Sequence, residues 1–462
     1  MNVPSNIFRE YDIRGEAETD LSSQNVLAIA RSYGTYLSRK GITKASVGGD
    51  VRISTERIRN DVIQGLIDTG IDVIDVGTVT SPLLYWSLFH HDIDGAIMIT
   101  GSHNPKDMNG LKMALGKSTI YGEEIQKIRE MVEKDDFEIA DKPGDVSEED
   151  LWPDYLEMLK SKIQLGPRKL KVVADAANGT ASLRIVEFLE SLGCEVIPLY
   201  CEPDGTFPNH HPDPQKRANM QDLIASVREN KADVGFGFDG DADRIGVVDD
   251  SGEIVWGDVL MALYWREILP KNPGATAIIE VKCSQALEDE VRRLGGVPHY
   301  YKAGHSLIKA EMKRIGALFA GEYSGHIFFA DEYYGFDDSF YAAGRLLRML
   351  SESDQSLSEM LSDIPVYYHT EEVRVECPDD KKFEVMGRIT SKALEEHEAI
   401  TVDGLRIVYP DGKGWGLIRA SNTQPVLATR CEGKTPEDLE YIAKDVKKRM
   451  LDAGLPDFEW TY

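Results

Sequence analysis

Apolar residues in this chain come in short blocks that alternate with helically spaced stretches, and the alternation repeats three times. KASVGGDVRISTERIRNDVIQGLIDTGIDVIDVG opens on an apolar block, passes a Gly/Asp turn, runs through an amphipathic stretch and ends in a second block. LKVVADAANGTASLRIVEFLESLGCEVIPLY and ATAIIEVKCSQALEDEVRRLGGVPHYY follow the same plan. In the second, Ile185, Phe188, Leu189 and Leu192 fall at helical spacing, and Gly193 closes the helix before CEVIPLY. Each stretch predicts a strand–helix–strand unit, the building block of a parallel sheet with a crossover helix on one face.

A further predicted strand follows each unit and opens into a polar loop: DGAIMIT into GSHNP, ADVGFGF into DGDADR, and GALFA into GEYSGH. Ligands of open α/β sheets gather at the carboxyl ends of strands, so three such loops predict one composite site. The tail reads differently. EEVRVECP alternates as an edge strand does, and ITVDGLRIVYPDGKGWGLIRAS carries Asp-Gly turns between short strands. A last helix starts at Thr435-Pro436, with Asp438 in its first turn and Leu439, Ile442, Ala443 and Val446 on one stripe. The expected fold class is α/β: three repeated mixed-sheet α/β domains over 1–149, 150–253 and 254–366, and a smaller α+β domain over 367–462.

Composition narrows the function. The 462 residues are 42% hydrophobic and 28% charged, too many for one core. A net charge of −27 argues against nucleic-acid binding and requires any anion site to be locally basic. No apolar signal region or membrane-length run is present, and the five scattered cysteines show no CxxC spacing. The expectation is a cytoplasmic protein of small-molecule partners, a monomer or weak dimer, with neither disulfide framework nor zinc site.

The loops carry the candidate chemistry. Asp239, Asp241 and Asp243 alternate after a buried strand, and three converging carboxylates call for a hard divalent cation, Mg²⁺ or Ca²⁺. An Asp/Gly-rich turn is the plainer reading of such a loop. Ser102 in GSHNP suits capping or a turn, but Pro105 disfavours a nucleophile elbow. A hydroxyl facing a carboxylate-bound cation suits phosphoryl transfer. A phosphoserine adds about −1.5 to −2 charge, so cations must crowd the site; Arg14, Lys112, Arg244 and Lys282 are candidates. Glu322, Ser324 and His326 of GEYSGH suit a sugar ring, and Arg419, Ser421, Asn422 and Thr423 of RASNTQP, with Arg430 after them, suit an anion nest. His210 and His211 read as structural or domain-packing residues, and GDVRIS and DAANGT as βα turns that could meet phosphate but are of a kind found in most α/β domains.

In order along residues 8 to 432, FREYDIRG, TGSHNP, DGDADR, KAGHS, GEYSGH and RASNTQP resemble the α-D-phosphohexomutase family, most closely its phosphomannomutase/phosphoglucomutase branch. The resemblance implies four domains around a central cleft and interconversion of hexose 1-phosphate and hexose 6-phosphate through a hexose 1,6-bisphosphate. It further implies that Ser102 is the phosphorylated serine and that Asp239, Asp241 and Asp243 hold Mg²⁺, completed by an oxygen on phosphorylated Ser102. Glu322 and His326 would hold sugar hydroxyls; Arg419, Ser421, Asn422 and Thr423 the non-reacting phosphate. Tyr11, Arg14, Lys282 and His305 would line the cleft. Lys112 and His305 are the candidates for the base, with Arg14 assisting, and His103 either contacts the phosphate or orders its loop.

Two positions depart from the family pattern. Ala242 stands where many relatives have Gly, and Tyr323 where the dual-specificity branch often has Met. His326 favours that branch, whereas Tyr323 leaves the choice of mannose or glucose open. A phosphoglucosamine mutase and a metal-dependent sugar-phosphate phosphatase are the alternatives.

Overall fold

The computed structural model describes residues 3–421 and 425–461. They form two compact units, one running through Gly257 together with Ser324–Ser362, the other Asp258–Tyr323 together with Asp363–Tyr462.

The first unit holds two mixed sheets. The strands of the first are β1 (Ile13–Glu16), β2 (Lys44–Gly49), β3 (Asp72–Thr78), β4 (Gly95–Ile99), β5 (Met108–Leu115), β6 (Ser118–Thr119) and β7 (Val146–Glu148), in the order β1-β5-β4-β2-β3-β7 with β6 on β5. β2 pairs in parallel with β3 and β4, while β5 runs antiparallel to β4 and β1. The second comprises β8 (Lys171–Asp175), β9 (Glu195–Leu199), β10 (Val234–Phe238), β11 (Ile245–Asp249) and β12 (Ile254–Val255), ordered β12-β11-β10-β8-β9. Here β8 is parallel to β9 and β10, and β11 is antiparallel to β10. The segment β5-β4-β2-β3 therefore repeats as β11-β10-β8-β9, and the sequence repeat is a repeat of topology. The central strands β4 and β10 are buried at every residue, which is why their apolar runs do not alternate.

That equivalence positions the chemistry. The Ser102 loop joins β4 to β5 and the DGDADR loop joins β10 to β11, both at the carboxyl end of a parallel strand.

In the second unit, β13 (Thr276–Glu280) and β14 (Val297–Tyr301) pair in parallel around the helix Gln285–Arg293. The third repeat then shortens. β15 (Phe319–Gly321) is three residues long and does not bond to that pair among the described residues. Instead the buried Glu280 carboxylate, at the end of β13, accepts from the Lys282 N–H (3.1 Å) and the Tyr323 N–H (3.3 Å). After β16 (Ile327–Phe329), which belongs to the first unit, the C-terminal sheet uses β17 (Tyr368–His369), β18 (Val373–Glu376), β19 (Glu398–Ile400), β20 (Leu405–Tyr409), β21 (Gly414–Ala420) and β22 (Val426–Gly433). Its order is β17-β22-β21-β20-β19, with β18 also on β22, all antiparallel. Asp411 and Gly412, both at positive φ, turn β20 into β21 as the Asp-Gly signal predicts. The helix Pro436–Asp452 starts where its cap residues place it, with the Asp438 N–H donating to Thr435 Oγ1 (3.1 Å). Its stripe of Leu439, Ile442, Ala443 and Val446 lies in the core of this sheet. Burying each larger aliphatic chain contributes about 1.5–3 kcal/mol.

Candidate active site

Ser102 is buried, adopts φ +47°, and donates from Oγ to Asp239 Oδ2 at 2.8 Å. His103 Nδ1 lies 3.3 Å from the same Oγ. Asp239, Asp241 and Asp243 are all fully buried, and ligand-type oxygens of the three lie within 4.8 Å of one another. The spacing that alternates in sequence therefore converges in space. Asp239 Oδ1 accepts from the N–H groups of Asp243 (3.1 Å) and Arg244 (3.2 Å), which curls the loop back on itself.

Lys112 is the counter-ion of the cluster. Its position on β5, opposite Met98 of β4, carries Nζ to Asp241 Oδ2 (2.7 Å) and Asp243 Oδ2 (2.5 Å). Burial alone would lower the Lys112 pKa, but Asp241 and Asp243 outweigh it and hold the ammonium well above its ordinary range. Burial, then the charges of Asp243 and Asp241, pushes the Asp239 carboxyl well up. One ammonium does not balance three carboxylates, and Asp241 Oδ1 and Asp243 Oδ1 are buried without a hydrogen-bond partner. Hard oxygen donors with unused lone pairs fit a divalent cation.

Arg244 and His326 complete the cluster within the first unit. Arg244 Nε lies 4.0 Å from Asp239 Oδ2 and from Asp243 Oδ1, and donates to His326 Nε2 at 2.9 Å. His326 Nδ1 stands 3.0 Å from Asp337 Oδ2 and 3.6 Å from Asp243 Oδ1. Arg244 and His326 form a bridge, and a Cβ on Gly325 would meet Ile245 O at 2.4 Å, so this glycine allows the close approach. The Arg244 guanidinium, then burial and Arg14, drives the His103 imidazole well below its ordinary pKa and keeps it neutral. Arg14 itself sits on β1 opposite Gly110 and pairs with Asp12, and Tyr11 stands half-buried just before β1. Local cations thus gather despite the acidic whole, as a phosphate site needs.

The remaining predicted residues belong to the second unit, except Ser324, which is half-buried in the first. Glu322 Oε1 accepts from the Gly304 N–H at 2.7 Å, which ties GEYSGH to KAGHS and to His305, the first residue of the helix His305–Ile315. Arg419 pairs with Asp403 at 3.0 Å, and the same carboxylate oxygen accepts from the Ala303 N–H (3.2 Å). Ser421 accepts at its carbonyl from Lys382 Nζ (2.7 Å), while Asn422 and Thr423 lie outside the described residues. Arg430 is buried, with its guanidinium 4.3 Å from the Tyr323 ring centroid and Nη1 on Lys282 O (3.1 Å). Arg406 Nη1 holds the flanking carbonyls, Val281 O (2.7 Å) and Cys283 O (2.8 Å). Lys282 therefore projects from a loop whose three successive carbonyls are occupied by two arginines.

Several members of the cluster carry no sequence signal. Ser81 donates to Asp241 Oδ2 (2.5 Å) from the start of the helix Ser81–His90, and Asp337 backs His326. Glu280, Asp403 and Arg406 likewise support loops far from them in sequence. His210 lies 3.0 Å from Asp175 Oδ2, and His211 reaches the carbonyl of His103, so the histidine pair links elements as expected.

Residues 5–139, 153–252 and 256–368 match three family descriptions, phosphoglucomutase/phosphomannomutase alpha/beta/alpha domains I, II and III. Residues 372–449 match the C-terminal domain of the same family. The chain is 42% identical over 457 residues to the phosphomannomutase/phosphoglucomutase of Pseudomonas aeruginosa, covering 98% of both. It is 42% identical over 449 residues to a phosphoglucomutase of Neisseria meningitidis, covering 96% of this chain and 97% of that one. A phosphoglucomutase/phosphomannomutase family protein of Burkholderia thailandensis superposes with a TM-score of 0.93 at 37% identity over the whole of both chains.

Proposed function

The chain belongs to the phosphoglucomutase/phosphomannomutase family, and from that premise we propose that it interconverts the 1- and 6-phosphates of glucose and mannose, with Ser102 as phosphoryl carrier. The observation that carries this reading is the 2.8 Å hydrogen bond from Ser102 Oγ to Asp239 inside a buried acidic cluster with unused oxygens. Asp239, Asp241 and Asp243 would hold Mg²⁺, with an oxygen of phosphorylated Ser102. A bound Mg²⁺ neutralises charge on phosphoryl oxygens.

The chain's own groups do the rest. Phosphorylated Ser102 gives up its phosphoryl group: the Oγ–P bond breaks as a bond forms to the free sugar hydroxyl, and hexose 1,6-bisphosphate results. The bisphosphate reorients, and Ser102 takes back the other phosphoryl group. Arg244, Arg14 and His103 steady the transferring group. Glu322, Ser324 and His326 take the sugar; Lys282, Arg419, Ser421, Asn422 and Thr423 take the other phosphate. Tyr11 flanks the sugar, and Arg430, stacked on Tyr323, supports the loop of Lys282. Lys112 and His305 are the alternatives for the proton transfer. While Asp241 and Asp243 hold Lys112 as an ammonium it can donate but not accept, so His305 would take the proton from the sugar hydroxyl.

The test is a coupled assay with mannose, glucose and glucosamine 1-phosphates and a bisphosphate activator, beside intact-mass detection of phosphoserine. Turnover of glucose and mannose phosphates with phosphate conserved is expected. Preference for the 2-amino sugar would move the reading to a phosphoglucosamine mutase, and steady release of inorganic phosphate to a phosphatase.

A further inference from the structure

Arg52, in the GDVRIS turn after β2, is fully buried, and its guanidinium bonds mainly to a loop distant in sequence. Nη2 donates to Ser102 O (2.6 Å) and Asn104 O (2.7 Å), and Nη1 to Pro105 O (2.6 Å) and Met108 O (3.0 Å). Nε lies on Asp50 Oδ2 (3.2 Å), and the same oxygen accepts from the Gly101 N–H (3.1 Å). His211 supplies the missing member of the series, the carbonyl of His103. A Cβ at Gly101 would come within 2.5 Å of Arg52 Cζ, and one at Gly240 within 2.3 Å of Ser102 O, so the loop is gripped from both sides.

A buried arginine that only finished its own βα turn would bond to local acceptors. This one takes four carbonyls 50 to 56 residues away, all in the loop that carries Ser102. Ser102 at φ +47° occupies a region that costs a non-glycine residue about 1–2 kcal/mol and persists only where surroundings over-determine it. A planar five-donor fork can serve these acceptors together, whereas an ammonium on a flexible stem cannot.

We propose that Arg52, assisted by His211, is a positioning residue that fixes the phosphoserine loop and so directs the phosphoryl group to the sugar hydroxyl in preference to water. The proposal rests on the phosphoserine reading above. In the competing reaction a water oxygen bonds to phosphorus, the Ser102 Oγ–P bond breaks, Oγ recovers a proton and inorganic phosphate leaves. A loosened loop widens the range of angles from which water can attack.

The experiment measures inorganic phosphate released per mutase turnover in wild type, Arg52→Lys and His211→Gln, starting from enzyme loaded with glucose 1,6-bisphosphate. This ratio does not depend on how much of a sample is folded. Arg52→Lys is expected to raise it about tenfold and lower kcat by a similar factor with KM within about threefold, and His211→Gln to raise it less. A ratio unchanged in Arg52→Lys, with kcat falling only in step with folded fraction, overturns the proposal and leaves Arg52 a structural residue. If Arg52→Lys does not fold, His211→Gln decides, and a wild-type ratio there overturns it. Wild type that turns over without any phosphoserine by intact mass overturns the phosphoserine reading itself, and the clamp with it.

Discussion

Ser102 Oγ and Asp239 Oδ2, 137 residues apart in the chain, meet at 2.8 Å because the loops that carry them occupy equivalent places in two copies of one topology. Both loops leave the carboxyl end of a parallel strand and return on an antiparallel one. The duplicated plan thus sets a hydroxyl in one copy against carboxylates in the other. Ser102→Ala accordingly removes the carrier oxygen and its hydrogen bond to Asp239 but no apolar packing. It is expected to lower kcat at least about 10³-fold while circular dichroism and the melting temperature stay near wild type. Near-normal turnover would refute the assignment.

Lys112 is the ammonium that two of the three aspartates use in the absence of another cation. Lys112→Met leaves buried like charges uncompensated, a loss on the order of 3–5 kcal/mol. The loss is expected in full in the presence of a chelator and to shrink in excess Mg²⁺, which binds the folded state. Urea melts under the two conditions measure the difference. Equal losses in both would mean that the aspartates hold no cation.

His210 faces Asp175 from the histidine pair. Burial alone would lower its pKa, but the hydrogen bond and charge of Asp175 outweigh this and raise it above 6.5. A proton held more tightly in the folded state stabilises fully below the unfolded value, and that contribution drains away as pH rises through the folded one. His210→Gln is therefore expected to lose more stability near pH 6 than near pH 8.5. A loss independent of pH in denaturant titrations would count against the charged pair.

Tyr323 stands where sequence comparison of family motifs leaves sugar preference open, but its ring is committed to the Arg430 guanidinium at 4.3 Å. Burial pushes its phenol up to about 12, so the hydroxyl stays protonated. A cation–π contact of this kind contributes about 0.5–2 kcal/mol and survives loss of the hydroxyl. Tyr323→Phe is expected to leave the mannose-to-glucose ratio of kcat/KM within about twofold of wild type. A larger shift would show that the hydroxyl reads the sugar.

What the sequence determined by itself was local or periodic. Strand β4, the helix Pro436–Asp452 with its Thr435 cap, the Asp411–Gly412 turn and the threefold strand–helix–strand plan follow from apolar spacing and from Gly, Pro and Asp at turn positions. Those signals act over a few residues, so they can be read from a few residues. The same holds for DGDADR, whose alternation announces converging carboxylates. What only the tertiary structure decided was which distant group answers each charge. Lys112 is a counter-ion because strand order sets β5 beside β4. His326 joins the acidic cluster because Gly325 lets its loop dock on Ile245. Arg52, Asp337, Arg406 and Asp403 carry no pattern at all. Their partners lie 11 residues away for Asp337 (His326), 100 for Asp403 (Ala303), 123 and 125 for Arg406 (Cys283 and Val281) and 50 to 56 for Arg52. Such interactions depend on distance through space, which strand order and register set and local periodicity does not.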